Sequence, residues 1–214
     1  MIVDHVAGIL FDEPLLGSPV RFATRLSMPL FCILMGYWLS PERTTQWQRP
    51  AQVGVAALLA NLVFVPAYDK VEILVSLLIS YGIFVLTGRW FVVLVLAIGL
   101  YPLDQISQLD YPITIVVGFV AQGMVLRQFG LLPAILSGLL LSSGAIWIER
   151  LEPYGVNHLL CMFVLPATLM VYGATKQTKL RIVPLDWIGQ NPLTIYVVQY
   201  YLIFAIRWIW QTVG

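Results

Sequence analysis

The sequence predicts an all-α fold: a polytopic membrane bundle of about nine transmembrane helices, the first one short, with a cytoplasmic N-terminus and an external C-terminus. Three observations carry that expectation. Of 214 residues, 59% are hydrophobic and only 11% charged, with a mean hydropathy of +0.85. So few charges cannot cover the surface of a soluble domain of this size. The apolar residues are gathered into runs of helix-spanning length. Finally, the basic residues are concentrated in alternate breaks between those runs.

Met1–Phe11 is the short first helix, ended by Asp12-Glu13-Pro14 and the turn residues Gly17-Ser18-Pro19. The later runs fall at Arg21–Ser40, Pro50–Tyr68, Val71–Leu86, Arg89–Leu103, Tyr111–Leu126, Leu131–Ile148, Asn157–Gly173 and Asn191–Trp210. Each is at or just short of the ~20 residues that cross a ~30 Å hydrocarbon core. All seven tryptophans lie near a predicted helix end, as an interfacial aromatic belt requires. The breaks after helices two, four, six and eight carry seven basic residues: Arg43, Arg49, Arg89, Arg127, Lys176, Lys179 and Arg181. Those after one, three, five and seven carry only three, Arg21, Lys70 and Arg150, against eight acids. This alternation sets the orientation and supports the count of nine.

No stretch is polar or long enough for a separate soluble domain, so residues 1–214 are expected to form one domain. The first charge is Asp4, with no basic region before it, so the N-terminus is expected to be retained rather than cleaved. Twelve basic against eleven acidic residues give no basic surface for nucleic acid. Cys32 and Cys161 sit inside apolar runs and read as packing residues, and the two histidines have no metal-binding spacing. No repeat, phosphate loop or pair of Gly/Pro-interrupted helices is visible.

Chemistry points to the N-terminus. Asp4 and His5 lie in the first helix, and His5 is six residues from Phe11, roughly 9 Å along a helix. Either this helix is a half-span or the chain starts upstream of Met1; both place Asp4-His5 inside the bilayer profile. An ionisable residue there is a functional candidate, and the alternative is a cap on a short interfacial helix. The imidazole of His5 can take a proton from an amine or hydroxyl and return it. Adjacent on a helix, Asp4 points about 100° away from His5 and could pair instead with Arg21 or Arg25. Arg21, at the edge of the second helix, can snorkel to water. Arg25, just over one turn inside it, suits a buried ion pair or an anionic ligand. His158, beside Asn157 at the outer mouth of the eighth helix, is an interfacial histidine or a second candidate base.

Met1-Ile-Val-Asp4-His5-Val-Ala-Gly8, then Arg25-Leu-Ser-Met-Pro29-Leu-Phe31 and Gly36-Tyr37, resemble the opening of the TraX family, membrane proteins known for acetylating the N-terminus of conjugative pilin. The resemblance covers about the first 65 residues and includes the loop of Arg43 and Arg49. Trp187 to Tyr196, with Gly189, Asn191 and Leu193, is similar to the last helix of a wider set of membrane acyltransferases. A histidine often follows the tyrosine there by three residues; here it is Gln199, which can hydrogen-bond a substrate but not shuttle a proton near neutral pH.

The resemblance implies an acyl-CoA-dependent O- or N-acyltransferase, multi-pass in the bacterial inner membrane, with acetyl-CoA as donor and no metal. His5 would be the base, with Asp4 and Arg25 in the catalytic group. Arg21 would orient a carbonyl, carboxylate or phosphate, and Asn191, Tyr196 and Gln199 would line the pocket. Arg43, Arg49, Lys176, Lys179 and Arg181 would meet the phosphates of CoA, although the same residues could serve only to set topology. A pilin subunit is the acceptor the family suggests, within a sheath of membrane lipids. Two other classes fit the residues: a transporter or flippase with an Asp-His-Arg relay, and a non-catalytic subunit assisting pilin assembly.

Overall fold

The structure, a computed structural model, describes residues 2–11, 19–39, 48–88, 108–151, 156–176 and 191–213. These are helical, apart from turns and a single parallel bridge between Val71 and Leu109; no strand occurs among the described residues. In chain order the helices are α1 (Ile2–Ile9), α2 (Pro19–Thr24), α3 (Ser27–Trp38), α4 (Gln48–Tyr68), α5 (Ile73–Thr87), α6 (Ile113–Phe129), α7 (Leu131–Leu151), α8 (Val164–Lys176) and α9 (Pro192–Val213). A 3₁₀ segment, Val156–Phe163, leads into α8.

These labels do not stand one for one for the nine predicted spans. The predicted second helix is two, α2 and α3, with Arg25 and Leu26 in the turn between them. Pro29 is the physical reason. It has no N–H for the carbonyl of Arg25, four residues earlier, and its ring crowds that carbonyl. The turn closes instead on shorter bonds, Arg25 N to Phe22 O at 3.3 Å and Leu26 N to Ala23 O at 3.3 Å. Arg25 therefore stands at a break in the helix, not inside it. The predicted eighth helix likewise begins in the 3₁₀ segment, and the predicted fifth lies outside the described residues.

The centre of the bundle is α6, in which every residue from Thr114 to Leu126 is buried. A helix apolar all round has no solvent face and belongs in the interior. Against it lies α3, and the two backbones nearly touch. A Cβ on Gly36 would stand 1.8 Å from the Val120 carbonyl oxygen, and one on Gly123 would stand 1.9 Å from that of Ile33. Small residues permit such approach where lipid offers no hydrophobic drive between helices. Polar glue joins α6 to α7 and α8. The amide of Gln122 donates to the Ala134 carbonyl and to Thr168 Oγ1 (3.2 Å), and its oxygen accepts from Ser137 (2.6 Å).

Helix directions follow from contacts at the two ends. Arg25, before α3, meets Tyr111, before α6; Arg127, late in α6, donates to the carbonyl of Tyr37, late in α3, at 3.0 Å. Hence α3 and α6 run parallel. The bridge of Val71 to Leu109 puts the start of α5 beside the start of α6. Gly88, in left-handed conformation (φ 57°), closes α5 about 22 Å away, the length of its 15 residues.

Two helices, Gln48–Tyr68 and Pro192–Thr212, are long and apolar enough to cross a membrane. Their outer faces carry Val55, Leu58, Leu62, Leu202, Ile206 and Trp208, all exposed. Contiguous apolar surface of this kind is stable in lipid and not in water. Cys32 and Cys161 are buried and in the thiol form.

Gly36→Leu should drive α3 from α6 and cost at least the ~1–3 kcal/mol of an overpacked core. Gly82→Leu, with open space around its Cα, should change little. Thermal unfolding of both variants in the same detergent measures the difference.

Candidate active site

The site collects at the end of the bundle that holds the starts of α5 and α6. Asp4, buried on α1, accepts from Thr24 Oγ1 at 3.1 Å and lies 3.6 Å from Arg21 Nε and 3.9 Å from Arg25 Nε. One turn after Asp4, Gly8 leaves room for the Arg21 guanidinium; a Cβ there would stand 2.9 Å from its Cζ. Arg25 donates to the Tyr111 hydroxyl and lies over that ring, 5.9 Å from its centroid. A buried carboxylate between two guanidiniums meets the requirement that charge away from water be paired. Asp110, beside this cluster and outside the helices, has its carboxyl raised by burial, which Lys70 and Arg25 oppose.

His5 points to a second set of partners. Its Nδ1 is 3.1 Å from Gln199 Nε2 and its Nε2 is 3.3 Å from the Tyr200 hydroxyl. Its ring lies against Tyr200, with centroids 4.7 Å apart. The contacts continue: the hydroxyls of Tyr200 and Tyr196 are 3.3 Å apart, and that of Tyr196 donates to Glu72 Oε1. Glu72 is fully buried; its Oε2 accepts from Leu74 N at 2.8 Å and its own N–H donates to Asn61 Oδ1 at 2.9 Å. It caps α5. Tyr196, Gln199 and Tyr200 recur at three- and four-residue spacing, which puts them on one face of α9.

An apolar groove of about 580 Å³ reaches this set between α1, α2, α3, α8 and α9. Its walls are alkyl and aromatic, including Ile2, Leu30, Phe31 and Ile195, and Thr24, Tyr196 and Gln199 supply its polar points. Gln199 is buried, and its Oε1 has no hydrogen-bond partner.

Of the residues singled out by sequence, Asp4, His5, Arg21, Arg25, Tyr196 and Gln199 converge. Arg21 is turned onto Asp4 instead of snorkelling to water, because the buried carboxylate offers a stronger partner. Asn191 stands apart at the start of α9, where its carbonyl accepts from Ile195 N. Arg49 and Lys176 are exposed and distant: Arg49 is about 18 Å of helix from Asn61, and Lys176 about 20 Å beyond Phe163. Neither can touch His5. Arg43, Lys179, Arg181 and the side chain of His158 lie outside the described residues. Sequence reading missed Glu72, Tyr200, Tyr111 and Thr24. Glu72 is an acid between Val71 and Ile73, and Tyr200 follows Tyr196 by one turn; both signals stand in the sequence. Among the described residues, no group of His, Cys, Asp or Glu is placed to hold a metal ion.

Asp4→Asn removes the counter-charge from two partly buried guanidiniums and should cost about 1–3 kcal/mol, below the loss at a fully buried pair. The double variant Asp4→Asn/Arg21→Gln should recover part of that loss. Unfolding in detergent reads both, and equal loss in the two would mean the ion pair contributes nothing.

Compared with protein-family models, curated proteins and solved structures, the chain matches none.

Proposed function

We propose that the chain is a membrane-embedded acyltransferase that moves an acetyl or longer acyl group from acyl-CoA to an amine or hydroxyl. The observation that carries this reading is the placement of His5. A partly buried imidazole stands behind Gln199, a polar side chain lining an apolar groove, and beside an Asp4–Arg21–Arg25 cluster. His5 takes the proton from the attacking amine or hydroxyl. The guanidinium of Arg21 or Arg25 faces the negative charge that develops on the acyl oxygen, the largest single contribution in most acyl transfers. Gln199, which lines the groove and meets His5, is the polar side chain between the nucleophile and the base. The apolar walls suit an acceptor that arrives from within the bilayer, such as the apolar N-terminal segment of a pilin-like subunit, the acceptor suggested by the resemblance.

The donor comes from the side of Arg49 and Lys176. Since these lie at the far end of the bundle, the long pantetheine arm must carry the thioester to His5, and the cations meet only the phosphates. The chain is oriented with that end in the cytoplasm and makes about nine crossings of the bacterial inner membrane. Cysteines substituted for Lys176 and Asp69 should then be labelled from opposite faces by an impermeant maleimide, Lys176→Cys from the cytoplasmic one. Labelling of both from one face would rule out this orientation.

The second reading is a proton-coupled transporter, favoured by the unbroken chain of side chains from His5 to Glu72. Purified protein with labelled acetyl-CoA, a pilin peptide and an amino sugar decides between them. Acyl transfer should be detected and should fall 10²- to 10⁴-fold, about the contribution of a general base, in His5→Ala. No transfer, together with no binding of acetyl-CoA by calorimetry, would leave the transporter.

A further inference from the structure

We infer that Glu72 is the terminal proton acceptor of this site, and that Tyr196 and Tyr200 carry to it the proton His5 collects from the nucleophile. The inference rests on the acyl-transfer reading for its substrate, but its geometry stands without it. Four buried or partly buried groups from α1, α9 and the cap of α5 lie in one line: His5 Nε2, Tyr200 at 3.3 Å, Tyr196 at a further 3.3 Å, then Glu72.

Hydrogen-bond counting fixes the direction of that line. An ionised carboxylate can only accept, so the Tyr196 hydroxyl donates to Glu72. Its oxygen must then accept from Tyr200, and the oxygen of Tyr200 must accept from Nε2–H of His5. This leaves Nδ1 as the imidazole acceptor, and the group facing it is the amide nitrogen of Gln199, a donor. Every contact is satisfied by one pattern. His5 is therefore neutral and protonated on Nε2, with the Nδ1 lone pair turned toward the groove side chain Gln199.

The transfer balances. The nucleophile first takes the place of the Gln199 amide at Nδ1; its N–H or O–H bond then breaks and Nδ1–H forms; Nε2–H breaks as Tyr200 gains a proton; Tyr200 gives its own to Tyr196, and Tyr196 gives its own to Glu72. Both tyrosines are restored, His5 is neutral again in its other tautomer, and Glu72 holds the proton. The benefit is electrostatic. Were the proton to stay on His5, a partly buried imidazolium would be a third cation beside two guanidiniums, with Asp4 the one carboxylate among them. Moving it to Glu72 cancels a charge instead of adding one. Glu72 has no other evident reason to be a carboxylate, because capping Leu74 N needs only a neutral acceptor.

The test reads the imidazole directly. Protein labelled with ¹⁵N-histidine, in lipid nanodiscs and with His158→Gln so that His5 alone is seen, should show Nε2 protonated and Nδ1 bare. Tyr196→Phe should reverse this, although Tyr196 does not hydrogen-bond His5. Without its acceptor, the Tyr200 hydroxyl turns to donate to Nε2, and the proton moves to Nδ1. An Nδ1–H imidazole in the parent protein, or the same tautomer before and after Tyr196→Phe, overturns the relay. Under turnover, rate against deuterium fraction should be curved, as for several protons in flight, and Glu72→Gln should straighten it while lowering kcat and sparing KM. A straight line in the parent protein also overturns the relay. If acetyl-CoA is not turned over at all but the tautomer reverses, the acyl-transfer reading fails and the His5–Glu72 line stands.

Discussion

The Asp4 carboxylate is the interaction on which the site depends. It is the counter-charge of Arg21 and Arg25, and it binds α1 to the broken helix of α2 and α3. Through Arg25 and Tyr111 the same cluster reaches the start of α6, the central helix. Far from water, two guanidiniums without a carboxylate would be expelled or would pull solvent inward. With it, α1 is anchored although it has only eight residues, too few to hold its place by apolar burial alone. The position of His5 follows from that anchor. On a helix, adjacent residues diverge by about 100°, so once Asp4 faces α2, His5 faces α9.

Breaks in helices place Arg25, Glu72, Asp110 and Tyr111. Pro29 frees the carbonyl of Arg25 and puts its guanidinium at a turn. The cap of α5 holds Glu72, and the stretch before α6 holds Asp110 and Tyr111. The helices themselves supply the rest: α1 gives Asp4 and His5, α2 gives Arg21 and Thr24, and one face of α9 gives Tyr196, Gln199 and Tyr200. In a bundle whose interior is otherwise alkyl, helix ends are where backbone and side chain can share hydrogen bonds without leaving a donor or acceptor stranded. The Gln122 cluster shows the other solution, a side-chain amide on α6 satisfied from two helices, α7 and α8.

The helical class and most element positions could be read in the sequence, because apolar runs of spanning length leave few alternatives. Asp4, His5, Arg21 and Arg25 were legible for the same reason: charge in an apolar run must be paired or used. What stayed hidden depended on pairing across long separations. Nothing local says that Glu72 faces Tyr196, 124 residues later, or that Gln199 meets His5 across 194. Glu72 reads as one acid among eight in the external breaks, where its charge serves topology as well as any other. The break at Arg25 was within reach, since a proline four residues after it removes the helical bond that residue needs. The distance of Arg49 and Lys176 from His5 was not, since it requires the directions of α4 and α8.

Charge accounting links the two halves of the site. Arg21 and Arg25 carry two positive charges; Asp4 and an ionised Glu72 carry two negative ones. At rest these four groups sum to zero, and Asp110 beside them has Lys70 as a further opposite charge. In the acyl-transfer reading, attack on a thioester creates an oxyanion while the nucleophile gives up a proton. If that proton ends on Glu72, the fixed charges around the groove become net positive by one as the new negative charge appears. The site is then neutral again in the state that must be stabilised, with no movement of a helix or entry of an ion. A base that merely kept the proton would reach the same sum with the charge in the wrong place, on His5 beside two cations. In the proposed relay Glu72 would receive it on the opposite side of two tyrosines, away from the guanidiniums that face the oxyanion in that reading.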